Sequence, residues 1–356
     1  MPLTDTLRAT STWAEIHQQP DLWESWAAAP ALAQARDWLK GQAPREFWLM
    51  GAGTSAYTGD IIAAGLEGAA GPRLRAVPTT DLVARPRAFL PTEALVVQFS
   101  RSGDSTESVG TLDALDALSP ATPRLHVTCN PKGALATRPA PGPLHVLLLP
   151  EAAHDAGFAM TSSFTTMMLS ALALLLPEGA APLPALAARL RVLLPAIERR
   201  VAATPMPDRL VFLGTGPLMH AARECTLKVL ELTKGAIPVL WDSPLAFRHG
   251  PKSFVRPGTE IVLLLSPDRH AALYEADLLA ELRAQYPANR LTTVGPGGDL
   301  DLPMPEGAAW GAAPAIAFAQ VLGAALSDRL GFQVDAPFQG EATLSRVVTG
   351  VRLHGP

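Results

Sequence analysis

The fold is decided by Glu46-Phe47-Trp48-Leu49-Met50-Gly51-Ala52-Gly53-Thr54-Ser55-Ala56. A short apolar run ends in a pair of glycines, and a segment rich in Ile and Ala follows. The same pattern returns at Leu210-Val211-Phe212-Leu213-Gly214-Thr215-Gly216, with Gly214 placed 163 residues after Gly51. Working outward, residues 95–99 (LVVQF), 125–129 (LHVTC) and 145–149 (HVLLL) are further apolar runs. Residues 261–265 before Ser266 mirror residues 95–99 before Ser100, at an offset of 166, and residues 291–294 before Gly295 fall about where 125–129 predict. Strands that are apolar throughout and separated by helical segments indicate a parallel sheet covered on both faces. Three elements repeated at nearly one offset indicate a duplicated α/β domain. The join is placed at the Pro/Ala-rich stretch 177–203, a packed linker containing helical pieces.

The 356 residues suit about two domains. Charged residues make up 17% and hydrophobic ones 48%, enough apolar material for a large core. With 29 Lys+Arg against 33 Asp+Glu, the chain lacks the basic footprint of a nucleic-acid binder. Cys129 and Cys225 form no disulfide framework and no CxxC zinc pair. The N-terminus shows no apolar signal segment, and a cytoplasmic setting without membrane or nucleic-acid partners is expected. Residues 156–177 carry no charge, yet hydroxyl side chains crowd the first half. The apolar remainder, 167–176, is ten residues where a span needs roughly 20, so a buried core helix is expected. The first 45 residues read as helical, with Pro20 and Pro30 as breaks and Trp13, Trp23, Trp26 and Trp38 packing on the body.

Ligands of an open parallel sheet sit beyond the carboxyl ends of its strands. Three segments stand out there. In Gly51-Ala52-Gly53-Thr54-Ser55-Ala56 the third glycine of a dinucleotide fingerprint is replaced by Ala56, which argues against a nicotinamide site. Ser100-Arg101-Ser102-Gly103-Asp104-Ser105-Thr106-Glu107-Ser108 combines hydroxyls, a cation and a helix start. Those are the donors a phosphate monoester needs, although ordinary helix capping uses the same residues. In Arg223-Glu224-Cys225-Thr226-Leu227-Lys228-Val229-Leu230-Glu231, the charged residues Glu224, Lys228 and Glu231 share one helix face. Arg248-His249-Gly250-Pro251-Lys252 follows, with a loop histidine suited to acid–base work near neutral pH. The chain has five lysines, and three of them lie between 228 and 252.

These segments together resemble the SIS (sugar isomerase) family, most closely its AgaS-type branch of aminosugar-phosphate deaminase/isomerases. The matching strings are GAGTSA at 51–56, VPTTDLV at 77–83, SRSGDSTES at 100–108, TCN at 128–130, HDAGFAMTSS at 154–163, AARECTLKVLELTKG at 221–235, DSPLAFRHGPKS at 242–253 and SRVVTGV at 345–351. The resemblance implies two tandem αβα domains: a helical segment over 1–45, a phosphate-loop domain over 46–185, a second domain with the acid–base residues over 186–340, and a tail over 341–356 that completes the site. It also implies homodimers or homotetramers with shared active sites.

Residue by residue, the resemblance implies that Ser100, Ser102 and Ser105, with Arg101, bind phosphate, that Thr54 and Ser55 touch the sugar, and that Gly53, Thr106, Phe158 and Ala159 belong to the same substrate- and phosphate-binding set. Glu231 resembles the carboxylate that moves a proton between C2 and C1. His249 resembles the ring-opening histidine, which in some relatives comes from the neighbouring subunit. Glu224 and Lys228 support them. Arg346 stands where glucosamine-phosphate synthases carry a lysine that engages the ketose carbonyl, and an arginine stays protonated and forms no imine. The resulting expectation is conversion of galactosamine 6-phosphate to tagatose 6-phosphate and ammonia, with no cofactor and no metal. Isomerisation of neutral hexose 6-phosphates, deamination of glucosamine 6-phosphate and non-catalytic sensing of a sugar phosphate are the alternatives. Glu151, His154 and Asp155 either line the cleft or cap the helix that follows.

Overall fold

The computed structural model describes residues 2–176, 181–341 and 343–355. Its strands form two five-stranded sheets, and every strand pair is parallel. The first contains β1 (Glu46–Met50), β2 (Arg73–Ala76), β3 (Ala94–Ser100), β4 (Arg124–Thr128) and β5 (Leu144–Leu148), in the order β2-β1-β3-β4-β5. The second contains β6 (Arg209–Gly214), β7 (Val239–Asp242), β8 (Thr259–Leu264), β9 (Arg290–Gly295) and β10 (Leu300–Asp301), in the order β7-β6-β8-β9-β10. Numbered from its own first strand, each sheet runs 2-1-3-4-5. The expected duplicated α/β fold with a helical N-terminal segment is what the chain adopts.

The glycine pairs explain why both copies open the same way. A Cβ on Gly51 would lie 2.4 Å from the Ser55 backbone, and one on Gly214 would lie 2.4 Å from the Leu218 backbone. Gly53 and Gly216 then enter their helices at φ 56° and 58°, the left-handed region that favours glycine. The helices that start there, Thr54–Gly65 and Pro217–Leu232, are the first crossovers of the two sheets. One detail is corrected by the pairing. Met50 stands beside Gln98 and Leu213 beside Leu263, so β8 follows β3 at an offset of 165, and Ser266 corresponds to Arg101 rather than to Ser100.

By their contacts the residues group into two units. The first-sheet unit comprises Asp21–Asp155, Ser162–Leu183 and Glu341–Pro356, and the second-sheet unit Met1–Pro20, Ala156–Thr161 and Pro184–Gly340. In the first, the uncharged segment forms helix Ser162–Leu175, buried from Ser162 to Leu174. Its start is capped by Asp155, whose carboxylate accepts the amides of Ser162 and Ser163 at 3.0 Å and both their hydroxyls at 2.5 Å. That assigns Asp155 to capping. In the second, helix Ala308–Arg329 is long and apolar enough to cross a membrane by composition, yet its apolar window is wholly buried in the fold. It packs along helix Pro217–Leu232.

Pro20 does not break its helix. It lies inside Ser11–Trp26, and the Ile16 carbonyl that its missing N–H would leave orphaned accepts the Gln19 side-chain amide at 2.9 Å. Pro30 does start a helix, Pro30–Lys40. Trp13, Trp23 and Trp26 are buried, and Trp38 stacks on His145. Of the expected join, residues 177–180 lie outside the described residues, and most of the remainder is one helix, Leu183–Ala203, with Leu186, Leu190, Leu193, Leu194, Ile197 and Val201 buried. Cys129 and Cys225 are both buried and free.

Candidate active-site groups

The serine-rich loop 100–108 leaves the carboxyl end of β3, central in the first sheet. Ser100 Oγ accepts the Gly103 amide at 3.0 Å, and Ser102 Oγ accepts the Asp104 amide at 3.3 Å. Ser105 caps helix Thr106–Leu118, accepting the Ser108 amide at 3.3 Å and pairing with the Ser108 hydroxyl at 2.9 Å. The capping reading is therefore realised, and it does not compete with anion binding. In the Ser100 and Ser102 contacts the oxygen is the acceptor, which leaves the O–H able to donate. Thr54 and Ser55 lie buried at the first turn of the neighbouring helix.

Arg101 is buried, and its Nη2 donates to the Arg346 carbonyl at 3.0 Å. The Thr106 amide donates to the Val348 carbonyl at 3.0 Å. The tail thus meets the loop through its backbone, a contact that Arg346's side-chain chemistry gave no means of expecting. Asn130 was a second unrecognised contributor. Its Nδ2 donates to the Ser102 carbonyl at 2.8 Å and to Asp104 at 3.2 Å, while Asp104 also accepts the Ala134 amide at 2.7 Å. The signal for it was present in the Thr128-Cys129-Asn130 string. His154 is half-buried, and its pKa is pushed down by burial and then by the Arg346 and Arg101 charges. Glu151 is exposed.

The second-sheet unit carries the carboxylates. Helix Pro217–Leu232 places Glu224, Lys228 and Glu231 together, as their spacing predicts. Lys228 Nζ lies 2.7 Å from Glu231 Oε2 and 3.3 Å from Glu224 Oε1. Lys228 and Glu224 are fully buried, whereas the Glu231 side chain keeps 21% of its exposure. Burial works to push the Lys228 ammonium down, but the Glu224 and Glu231 charges outweigh it and hold its pKa above the usual lysine value. A fixed cation therefore orients a carboxylate that solvent still reaches.

His249 is exposed on the turn after the short helix Pro244–Phe247, and among the described residues its side chain makes no hydrogen bond to Glu231. Lys252 does not join the carboxylate helix: it pairs with Glu281, which also accepts Arg248 Nε at 2.7 Å. Phe158 and Ala159 belong to this unit rather than to that of the serine-rich loop. The Phe158 amide donates to the Asp335 carbonyl at 3.0 Å, its ring meets Phe338 at 5.2 Å, and Ala159 is buried. Among the described residues no group of three or more His, Cys, Asp or Glu side chains gathers as a metal site would require.

The SIS domain family model matches residues 44–177, the part of the chain that holds the serine-rich loop 100–108. Similarity to whole proteins extends further. An AgaS protein of Streptomyces coelicolor is 40% identical over 379 residues, covering 99% of this chain and 97% of its own. The D-galactosamine-6-phosphate deaminase AgaS of Escherichia coli is 38% identical over 377 residues, covering 99% and 98%. Among solved structures, the tagatose-6-phosphate ketose/aldose isomerase of Escherichia coli superposes with a TM-score of 0.84 at 34% identity, covering 99% of both chains. With this identity spanning both sheets and the tail, the chain belongs to the SIS family, on its AgaS-type branch.

Proposed function

We propose that this chain is a sugar-phosphate deaminase that converts galactosamine 6-phosphate and water to tagatose 6-phosphate and ammonia. The observation that carries the reading is the Glu224–Lys228–Glu231 cluster, a solvent-reached carboxylate held by a buried ammonium, in a chain similar throughout its length to D-galactosamine-6-phosphate deaminases. The phosphate is held by Ser100, Ser102, Ser105 and Arg101, and this distant binding orients C1 and C2. His249 moves a proton between the ring oxygen and O1 as the ring opens. Its exposure suits a residue offered to a neighbouring copy in a homodimer or homotetramer.

Glu231 removes the C2 proton of the open aldose, O1 is protonated, and an enolamine forms. Returning a proton to C1 leaves a C2 ketimine. Water adds to it and ammonia departs, so one water is consumed and no electrons are exchanged with an external partner. Arg346 supplies charge without forming an imine.

The similarity to a tagatose-6-phosphate ketose/aldose isomerase supports a second reading, isomerisation of a neutral hexose 6-phosphate. It uses the same proton transfer, so the nitrogen separates them. The purified chain, given galactosamine 6-phosphate, is expected to release ammonia and ketose in equal amounts. Glu231→Gln is expected to slow both by about 10²–10⁴-fold. Ketose formation only from neutral hexose 6-phosphates, with no ammonia from either galactosamine or glucosamine 6-phosphate, would overturn the deaminase reading.

A further inference from the structure

In a doubly wound sheet of order 2-1-3-4-5, the crevice for ligands opens between the first and third strands, where the winding reverses. In the first sheet that place lies between β1 and β3, and the loops leaving those two strands carry Thr54, Ser55 and the serines of the phosphate loop. The second sheet has the corresponding place between β6 and β8. It is filled from within. Glu275, on helix Arg269–Gln285, is 1% exposed. Its Oε1 accepts the Thr215 hydroxyl at 2.7 Å, from the loop after β6. Its Oε2 accepts the Ser266 amide at 2.9 Å, from the loop after β8. One carboxylate thus takes a donor from each of the two loops that flank the crevice.

We infer that Glu275 is a built-in anion that occupies the second sheet's ligand site, so that phosphate is bound by the first-sheet loop alone. Three features support this. The donors are a hydroxyl and a backbone amide, the types that bind a phosphate oxygen at a strand end. The acid is buried, a state a carboxylate does not enter without partners of this kind. Ser266 stands at the position of Arg101, so the loop that carries a cation in the first sheet carries none in the second and instead gives its amide to Glu275. The strain of burial is visible in the group itself: desolvation pushes the Glu275 carboxyl pKa up, against the pull of the Ser266 and Thr215 hydrogen bonds. The inference concerns the non-phosphate unit and holds whichever sugar phosphate the chain transforms.

Removing the side chain should open the crevice to a free anion. The test compares thermal unfolding of the wild type, Glu275→Ala and Glu275→Gln, all in an Arg101→Ala background that weakens the first site. Each is scanned in inorganic phosphate and in potassium chloride of equal ionic strength. Glu275→Ala is expected to lose stability and to regain roughly 2–4 °C in phosphate beyond the chloride control. Formate, which matches the lost carboxylate, should act likewise. Glu275→Gln keeps the crevice filled and should gain nothing specific, as should the parent. A folded Glu275→Ala chain that responds to phosphate and formate no more than its parent would overturn the inference. Glu275→Ser, whose short side chain also vacates the crevice, decides the matter by the same readout if the alanine variant does not fold.

Discussion

The two sheets share strand order, glycine pairs and crossover geometry, yet they place their charges at different positions. Both sheets bury polar side chains in their strands, but not at matching positions: Glu260 is fully buried in β8 where the first sheet has Leu95. Gln98, Arg124 and His126 stand where the second sheet has Leu263, Leu291 and Thr293. In the first crossover helix Ile61 and Gly65 stand 163 residues before Glu224 and Lys228, where the second copy is ionic. At the crevice the first copy has the cation Arg101, and the second has the anion Glu275. Backbone topology survived duplication because it depends on glycine pairs and apolar periodicity, which many sequences satisfy. Charge placement is set by single side chains, and these differ between the two copies.

The largest effect expected from breaking this division comes from Lys228→Met. The substitution leaves Glu224 buried without its cation and Glu231 without its anchor. Breaking a buried ion cluster from one side costs about 3–5 kcal/mol, and urea unfolding should show a loss of that size. Adding Glu224→Gln should recover part of the loss, because the uncompensated charge is then gone. A Lys228→Met chain as stable as the wild type would remove the ionic cluster as the feature that distinguishes the second helix.

Acid should act on the first sheet. His126 Nδ1 faces the Leu135 carbonyl at 2.8 Å, and burial, opposed in part by that bond, lowers its pKa from 6.5 to about 4. The fold therefore favours the neutral ring. This group leaves stability unchanged with pH above 6.5 and lowers it as pH falls from 6.5 towards about 4, a total loss of roughly 3 kcal/mol. His126→Thr, which installs the residue type of the second sheet, should flatten stability over that interval. An unchanged slope between pH 6.5 and 4 would show that the buried histidine is not what makes the first sheet acid-sensitive.

Seven of the ten strands were legible as apolar runs, because strands buried on both faces have little choice of composition. The three that escaped notice are β2, β7 and β10. Each lies at a sheet edge or spans only two residues, and Arg73-Leu74-Arg75-Ala76 is half exposed. Pro20 misled because the compensating bond comes from the adjacent Gln19 side chain, which no local rule for proline anticipates. The charged helix was legible because Glu224, Lys228 and Glu231 fall on one face by spacing alone. The tail's contact with the serine-rich loop was not, since backbone carbonyls of Arg346 and Val348 make it and any residue has a carbonyl. Glu275 lay hidden for a related reason: a lone acid in a helix beside Asp277 and Glu281 reads as solvated surface, and only the fold turns it inward.

Arg101 offers the finest test of the comparison, because it is the residue that Ser266 replaces. A hydrogen bond to a charged group is worth about 1.5–3 kcal/mol, so Arg101→Ala should raise KM for the phosphorylated aminosugar roughly 10–100-fold. If its task is to hold phosphate, kcat should change little, and the unphosphorylated aminosugar should be handled equally badly by variant and wild type. Arg101 also ties down the tail through the Arg346 carbonyl, so a fall in kcat with KM unchanged would point to that structural tie instead. Arg101→Lys separates the two further. A lysine restores the charge near the phosphate, but it lacks the planar fork that can serve an anion and a carbonyl together. Partial rescue of KM by lysine with the tail left loose, read as faster proteolysis after Glu341, would assign charge and tie to different parts of one guanidinium.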